Sequence, residues 1–426
     1  MNQPMKPFAL ALMAAFTFSA ATAQTTKTVT VTNPSAIERT DELVVLSRQL
    51  LQKKLGKLAA GKLVQVQFNN HPKVVQYDDL NQDGVWEEAV FLHSFAAGEK
   101  AVFTLKVADK PATIKAVVRA YVRQKHKLAD ESFGELLLRD TMPFNNQPTD
   151  FSKQKLPPYL TEGPAWENDK VGFRKYFDVR NANDIWGKVT NRMVLDEVGV
   201  DPSNIYHHFS ADWGMDILKV GKALGAGALA LQLPVNGKDT LIRFGTNVQQ
   251  TTYTQLANGP VRALFAITYK NWQPVASVTP LTVTEQIGIW GGQYFYENKV
   301  TVKGAPAAAK LVTGTIDFYN PEYDTLRTAN TRFLYTYGQQ SENKDNLGLA
   351  VAVPAKTFSA FGHTPAAGSG ILNTYTAVMN IAETQPAVYR YYAAWEKTNP
   401  AFAAKSGFEQ FIQAEAAKMD KKLLIN

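Results

Sequence analysis

Short runs in which apolar and polar residues alternate fill most of the chain, and this period of two constrains the fold more than any other feature. Residues 28–32, 42–46, 63–68, 89–92 and 101–107 alternate in this way, with Asn, Gly and Asp between them. Such spacing predicts a small N-terminal β-sandwich. A polar stretch with Pro143, Asn145, Asn146, Pro148, Pro157 and Pro158 follows. Longer alternating runs then occupy 228–233, 241–244, 251–256, 261–270, 281–289, 293–303, 309–318, 348–353, 375–381 and 387–393. They predict two large packed antiparallel sheets, so the fold class is all-β. One segment breaks the pattern: Phe408, Phe411, Ile412, Ala416 and Met419 recur with helical period, predicting a short C-terminal helix over 407–424.

Residues 1–23 read as a secretory signal peptide, with Lys6 before an apolar run and Ala21-Thr22-Ala23 as the cleavage site. No later stretch is long and apolar enough to span a bilayer, so the expectation is a periplasmic protein with no membrane contact after cleavage. The chain has no cysteine. That excludes disulfides, thiolate metal sites and a cysteine nucleophile; the β core must hold the fold alone. A formal charge of +7 over 426 residues is no argument for nucleic acid. The expected organisation is a signal at 1–23, a sandwich at 24–125, a connecting segment at 126–160 and a large β domain at 161–426.

Three polar constellations stand out. In the first, Asp79, Asn81, Asp83 and Glu87 place oxygen ligands at alternate positions, Val85 offers its carbonyl and Gly84 permits the turn. This is the opening of a calcium loop without its twelfth-position Glu; the alternative is a hairpin turn closed by Asx hydrogen bonds. In the second, 162–178, alternation sets Val171, Phe173, Lys175 and Phe177 on one side and Gly172, Arg174 and Tyr176 on the other. A face bearing Arg174 and Tyr176 could clamp a carboxylate and present a phenol to it; the alternative is a solvated strand face. The third, 206–221, joins His207 and His208 to Asp212, Trp213 and Asp216. Histidine suits proton transfer near neutral pH, Asp212 could orient it, and Trp213 could stack on a sugar. Zinc fits less well, because no His-Glu-x-x-His spacing exists, and neither a phosphate loop nor a nucleophile elbow is present.

The segments TNPSAIERTDELVVL, QYDDLNQDGVWEEAVFL, EGPAWENDKVGFRKYFDVRNANDIWGK and YHHFSADWGMDILKVGKALGAG lie between residues 32 and 227, and the resemblance they carry extends over nearly all of the chain after the signal. In them it resembles a secreted bacterial family known only as a domain of unknown function, found in polysaccharide-utilisation gene clusters. The loop at Asn81-Gln82 departs from the family, where Asp and Gly are commoner, and this weakens the case for calcium. The resemblance implies that the large domain is a mutarotase-like supersandwich. It also implies an oligosaccharide dehydratase acting on ulvan-type uronates, with an acidic oligosaccharide as substrate; no cofactor is required, and calcium in the Asp79–Glu87 loop would be structural only. Such chemistry removes the proton at C5 of a terminal uronate and expels the C4 hydroxyl as water. The expected roles are Arg174 as carboxylate clamp, Tyr176 and His207 as base and acid with His208 as substitute for His207, and Asp212 as orienter. Trp166 and Trp213 would form a sugar platform, Lys188 would add positive potential, and Asp216 would contact substrate. The same residue types suit a polysaccharide lyase, a mutarotase or epimerase, or a non-catalytic glycan-binding protein. Glu162, Glu167, Asp212 and Asp216 keep a glycoside hydrolase open as well.

Overall fold

A computed structural model describes residues 27–200 and 206–426. The expected signal peptide lies outside the described residues. The described residues are all-β, built of antiparallel sheets, with two α-helices. Among the described residues no helix is long and apolar enough to cross a membrane.

The N-terminal sandwich has two layers. One sheet orders Leu424–Ile425, Lys27–Thr32, Lys100–Ala108, Leu63–Phe68 and His71–Pro72; the other orders Arg39–Ser47, Glu88–Phe95 and Gln76–Asp78. Their inward residues Val29, Val31, Val44, Leu46, Val64, Val66, Phe91 and Phe103 form a closed core. Every second residue of each expected strand is buried there, which is what the alternation requires. Two features were not anticipated. A helix at Arg48–Leu55 is capped by Ser47, which accepts from the Leu50 N–H. The last residues of the chain pair back onto the first strand, Ile425 opposite Val31.

The second unit has three sheets. Five strands run Gly214–Asp216, Asn183–Lys188, Val171–Lys175, Ala165–Asn168 and Ala120–Arg123. Five more run Lys238–Arg243, Leu229–Val235, Lys310–Ile316, Thr374–Asn380 and Phe358–His363. These two face a nine-stranded sheet that begins at Asp324–Arg327 and ends at Arg139–Met142. Trp166 and Phe173 from the first sheet, Leu229 and Leu311 from the second, and Phe265, Ile287 and Leu349 from the third share one core. Ala120–Arg123, at the end of the expected first domain, pairs with Ala165–Asn168. Arg139–Met142, inside the expected connecting segment, pairs with Val248–Asn258. The stretch read as a connection therefore supplies a sheet edge; its Arg-Asp-Thr-Met sequence carries little apolar signal for a strand.

The C-terminal helix spans Lys405–Asp420, four residues shorter at its end than its apolar period suggested. Phe408, Ile412 and Ala416 are buried, and Phe411 and Met419 pack at the margin, against the outer face of the nine-stranded sheet. Gly348 makes this docking feasible: a Cβ there would sit 2.4 Å from the Phe408 ring.

Candidate active site around Arg174

The segment 162–216 builds one buried charge cluster. Val171–Lys175 and Asn183–Lys188 form a hairpin with Arg174 opposite Asp184. Asp216 comes from the next strand, where it lies opposite Trp186. Glu162 arrives through a tight turn in which Thr161 and Glu162 have φ of 55° and 65°. Gly163 completes that turn, and a Cβ on it would lie 2.3 Å from the Lys175 carbonyl oxygen, so only glycine fits. Gly214 is under the same constraint, 1.8 Å from the Gly187 carbonyl oxygen. Backbone held in such sparsely populated regions needs the surrounding fold to enforce it.

The Arg174 guanidinium is 1% exposed. It donates to Asp184 Oδ2 at 2.7 and 3.1 Å, to Asp216 Oδ2 at 2.8 Å, to Glu162 Oε2 at 3.3 Å and to the Tyr176 hydroxyl at 3.0 Å. It also lies over the Trp186 ring, 4.5 Å from its centre. Burial opposes its charge, but Tyr176, Asp184 and Asp216 outweigh burial and keep it protonated. The Tyr176 hydroxyl in turn donates to Asp184 Oδ2 at 2.6 Å. Burial, then the Asp184 charge, push the Asp216 carboxyl well above the usual carboxylate range. The Tyr176 phenol is likewise pushed far up, first by burial.

His207 roofs this cluster. Its Nδ1 is 3.5 Å from Asp216 Oδ2, while the side chain is 61% exposed. Partial burial, then the Arg174 charge, hold its pKa below the ordinary histidine value of 6.5. The imidazole is therefore neutral at neutral pH and can accept a proton from a ligand. Arg180 lies over the Tyr176 ring at 3.7 Å and donates to Glu162 Oε1 at 2.6 Å, with its side chain 29% exposed. An exposed neutral imidazole and a partly exposed guanidinium thus lie at the outside of the cluster, with a buried phenol, backed by a carboxylate, beneath them.

Two cavities lie elsewhere. One, of about 650 Å³, is lined by Phe144, Asn247, Gln249 and Gln273 and has no titratable side chain. The other, about 450 Å³, contains Arg262 and Arg390, but Arg262 is paired with Asp78 and Glu88 and Arg390 with Glu297. The second is also lined by Glu42, Glu88, Glu297 and Lys299, so it combines carboxylates with cations, but neither cavity is lined by a histidine or a tyrosine.

A family profile described as "Domain of unknown function (DUF4861)" matches residues 31–425. The chain belongs to the DUF4861 family. A relative from Formosa agariphila, called "Uncharacterized protein P7", is 21% identical over 414 residues, covering 93% of this chain and 92% of its own length. Among solved structures, an α-mannosidase from Enterococcus faecalis V583 superposes with a TM-score of 0.47 at 10% identity, over 94% of this chain and 46% of its own. A protein in the glycosyl hydrolase family 38 from Enterococcus faecalis gives 0.45 at 10% identity, over 94% and 47%. The DUF4861 chain spans about half the length of these two structures.

The geometry revises several expected roles. Arg174 is not a free clamp: its donors are taken by three carboxylates of its own chain. Lys188 is fully buried and bonded to Glu167 and to the Asn168 carbonyl at 2.7 Å. It therefore adds no potential at the surface; Glu167 uses its other oxygen to accept from the Val194 and Leu195 N–H groups. Trp166 is wholly buried between Phe265 and Tyr296 in the core, and Trp213 is buried against Trp186, so neither presents a sugar platform. Asp212 is exposed and accepts no bond from His207; Asp216, two strand positions beyond Gly214, is the carboxyl beside the imidazole. Asp216 is itself buried under that ring, so the ring screens it from direct substrate contact. His208 is exposed.

Asp184, Arg180 and Tyr206 were not given site roles from the sequence, and Glu162 was named only as a carboxylate for a glycoside hydrolase. One signal could have found the first. Arg174 and Asp184 are equally distant from the turn centred on Val179, so a hairpin makes them direct cross-strand partners.

In the acidic loop, Asp79, Asp83 and Glu87 each bring an oxygen within 4.8 Å of the others. Hydrogen bonds already close the turn. Asp79 accepts from the Asp83 and Gly84 N–H groups, Asn81 from Asp83, Asp83 from Val85 and Glu87 from Leu80. The three carboxylates suit a hard oxygen-seeking cation, whereas the Asn81 amide nitrogen donates to Asp83 Oδ2.

Proposed function

We propose that this DUF4861 protein is an exported, periplasmic carbohydrate-active lyase: a dehydratase that removes water from a terminal uronate of an acidic oligosaccharide, ulvan-type by resemblance. The observation that carries the reading is the neutral imidazole of His207 set beside Asp216, with the Tyr176–Asp184 pair next to it. The imidazole takes the C5 proton through its outer nitrogen. The freed electron pair becomes the C4–C5 double bond, the C4–O bond breaks, and Tyr176 protonates the departing hydroxide to water. Arg180, whose Nε and Nη2 are held by Asp178 and Glu162 but whose side chain is partly exposed, is the cation proposed to face the substrate carboxylate. A glycosidase pair needs two carboxyl groups flanking the glycosidic bond. Here Asp184 and Asp216 are buried and share one guanidinium nitrogen.

The test is incubation with a panel of uronate-terminated oligosaccharides, read by mass spectrometry and ultraviolet absorbance. The expected product is lighter by one water and absorbs as a conjugated enol ether. Cleavage to smaller unsaturated fragments would make the protein a polysaccharide lyase instead. An unchanged mass with an altered sugar configuration would make it a mutarotase or epimerase, and binding without any product a glycan-binding protein.

The Asp79–Glu87 loop is proposed as a structural calcium site of the N-terminal sandwich. With calcium present, thermal unfolding should begin about 2–4 °C higher than in chelator, the shift for about 1 kcal/mol of linked binding. Identical melting curves would leave the hydrogen-bonded turn as the whole account of the loop.

A further inference from the structure

Beyond Asp216 the chain runs directly into a cationic aromatic patch. The Leu218 N–H donates to Asp216 Oδ1 at 3.4 Å, and Lys219 follows, exposed. Its ammonium lies 4.9 Å from the centre of the Phe318 ring and 5.9 Å from that of Tyr319. The Lys344 ammonium sits 3.6 Å over the same Tyr319 ring. Lys344 is held at φ 64°, a conformation that Asn or Gly adopts more readily. Among the described residues, neither ammonium has a carboxylate within ion-pair distance, although most buried or half-buried cations here do. Of the acids nearby, Asp345 is paired with Lys397 and Asp317 with His363, while Glu342 is exposed.

The patch adjoins the His207 opening. The Glu342 N–H donates to the Ile217 carbonyl at 2.9 Å, which fixes the Lys344 loop against the strand that carries Asp216. Lys397, bound to Asp345, lies 5.1 Å over the exposed ring of Phe209, two residues from His207. Lys397 and Asp345 therefore link Phe209, near His207, to the loop that carries Lys344. Two exposed ammonium groups without a carboxylate partner give the patch a positive potential that an anion would satisfy, and the Phe318 and Tyr319 rings beside them add apolar surface for sugar C–H groups.

We infer that Lys219, Lys344, Phe318 and Tyr319 form a subsite for an anionic sugar, carrying a carboxylate or a sulfate, next to the residue that reacts at His207. The inference rests on the proposed reading of the His207 site for its place in the substrate. The binding it asserts can be measured without turnover. Uronate tetrasaccharides, sulfated and desulfated, are titrated calorimetrically into His207→Ala protein and into the same protein carrying Lys219→Gln and Lys344→Gln. Both lysines are exposed, so an unchanged melting temperature is expected and verifies the fold. The double change should weaken binding about tenfold at low salt and flatten its salt dependence. A loss confined to the sulfated ligand assigns the anion as sulfate; an equal loss for both assigns the carboxylate. Affinities within twofold of the parent, or no binding of either ligand by the parent, would overturn the subsite. If His207→Ala keeps full turnover while the lysine changes abolish binding, the catalytic reading fails and the subsite stands.

Discussion

Arg174→Met should cost the fold about 3–5 kcal/mol, the range seen when one partner is removed from a buried charge pair. The side chain is almost wholly enclosed, and its donors satisfy Asp184, Asp216, Glu162 and the Tyr176 hydroxyl. Methionine fills most of the volume but returns no countercharge. Asp216 can hold a proton, because burial already drives its pKa up. Asp184 and Glu162 would then face each other's charge with only the partly exposed Arg180 nearby. Thermal and urea unfolding of purified variant and parent would measure the loss. Adding Asp184→Asn removes one of the stranded charges, so the double variant should recover part of it. A substrate clamp would behave differently: its loss raises KM and leaves the unfolding midpoint in place. An Arg174→Met protein as stable as the parent would return the residue to the clamp role that its strand face first suggested.

That contrast shows what alternation can and cannot convey. Period-two patterning located the strands because burying one face requires it, and strands such as Leu63–Phe68 and Leu281–Trp290 lie where the pattern placed them. It also put Arg174 and Tyr176 on one face, and they are in contact. It does not report what covers that face. Here Val194, Leu195, Val198 and Trp213 cover Trp186 and turn an apparently open strand surface into a second buried layer. Lys188 and Trp166 were misjudged for the same reason: charge or aromaticity suggested a surface, whereas Glu167 and the sheet opposite enclose them. The His-Asp relation failed differently. Asp212 is nearer His207 in sequence than Asp216 is, but the turn paired Ser210 with Gly214 and brought Asp216 back beneath Tyr206. Loop closure of that kind leaves no periodic trace. The Arg48–Leu55 helix was hidden by its length, since eight residues hold too few turns for a helical period to separate from noise.

His207→Ala should lower kcat by about 10²–10⁴-fold, the usual worth of a positioned acid or base, with little change in stability. The ring is mostly exposed, and its removal opens no cavity in the core. The wild-type pH profile supplies a sharper reading than the loss alone. The base must be neutral to act, and burial with the Arg174 charge lowers its pKa from 6.5. kcat/KM should therefore rise with pH through one ionisation below 6.5 and be level by neutrality. On the alkaline side, Tyr176 must keep its proton, and its pKa lies well above 10. The plateau should consequently extend past pH 9 for as long as the fold survives. Tyr176→Phe should lower the plateau and leave the acid limb in place, because the imidazole and its Asp216 neighbour remain. A wild-type profile that peaks and falls below pH 8, or a His207→Ala enzyme with full activity, would remove His207 as the base. Exposed His208, the next residue in the chain, would then be the imidazole to test in its place.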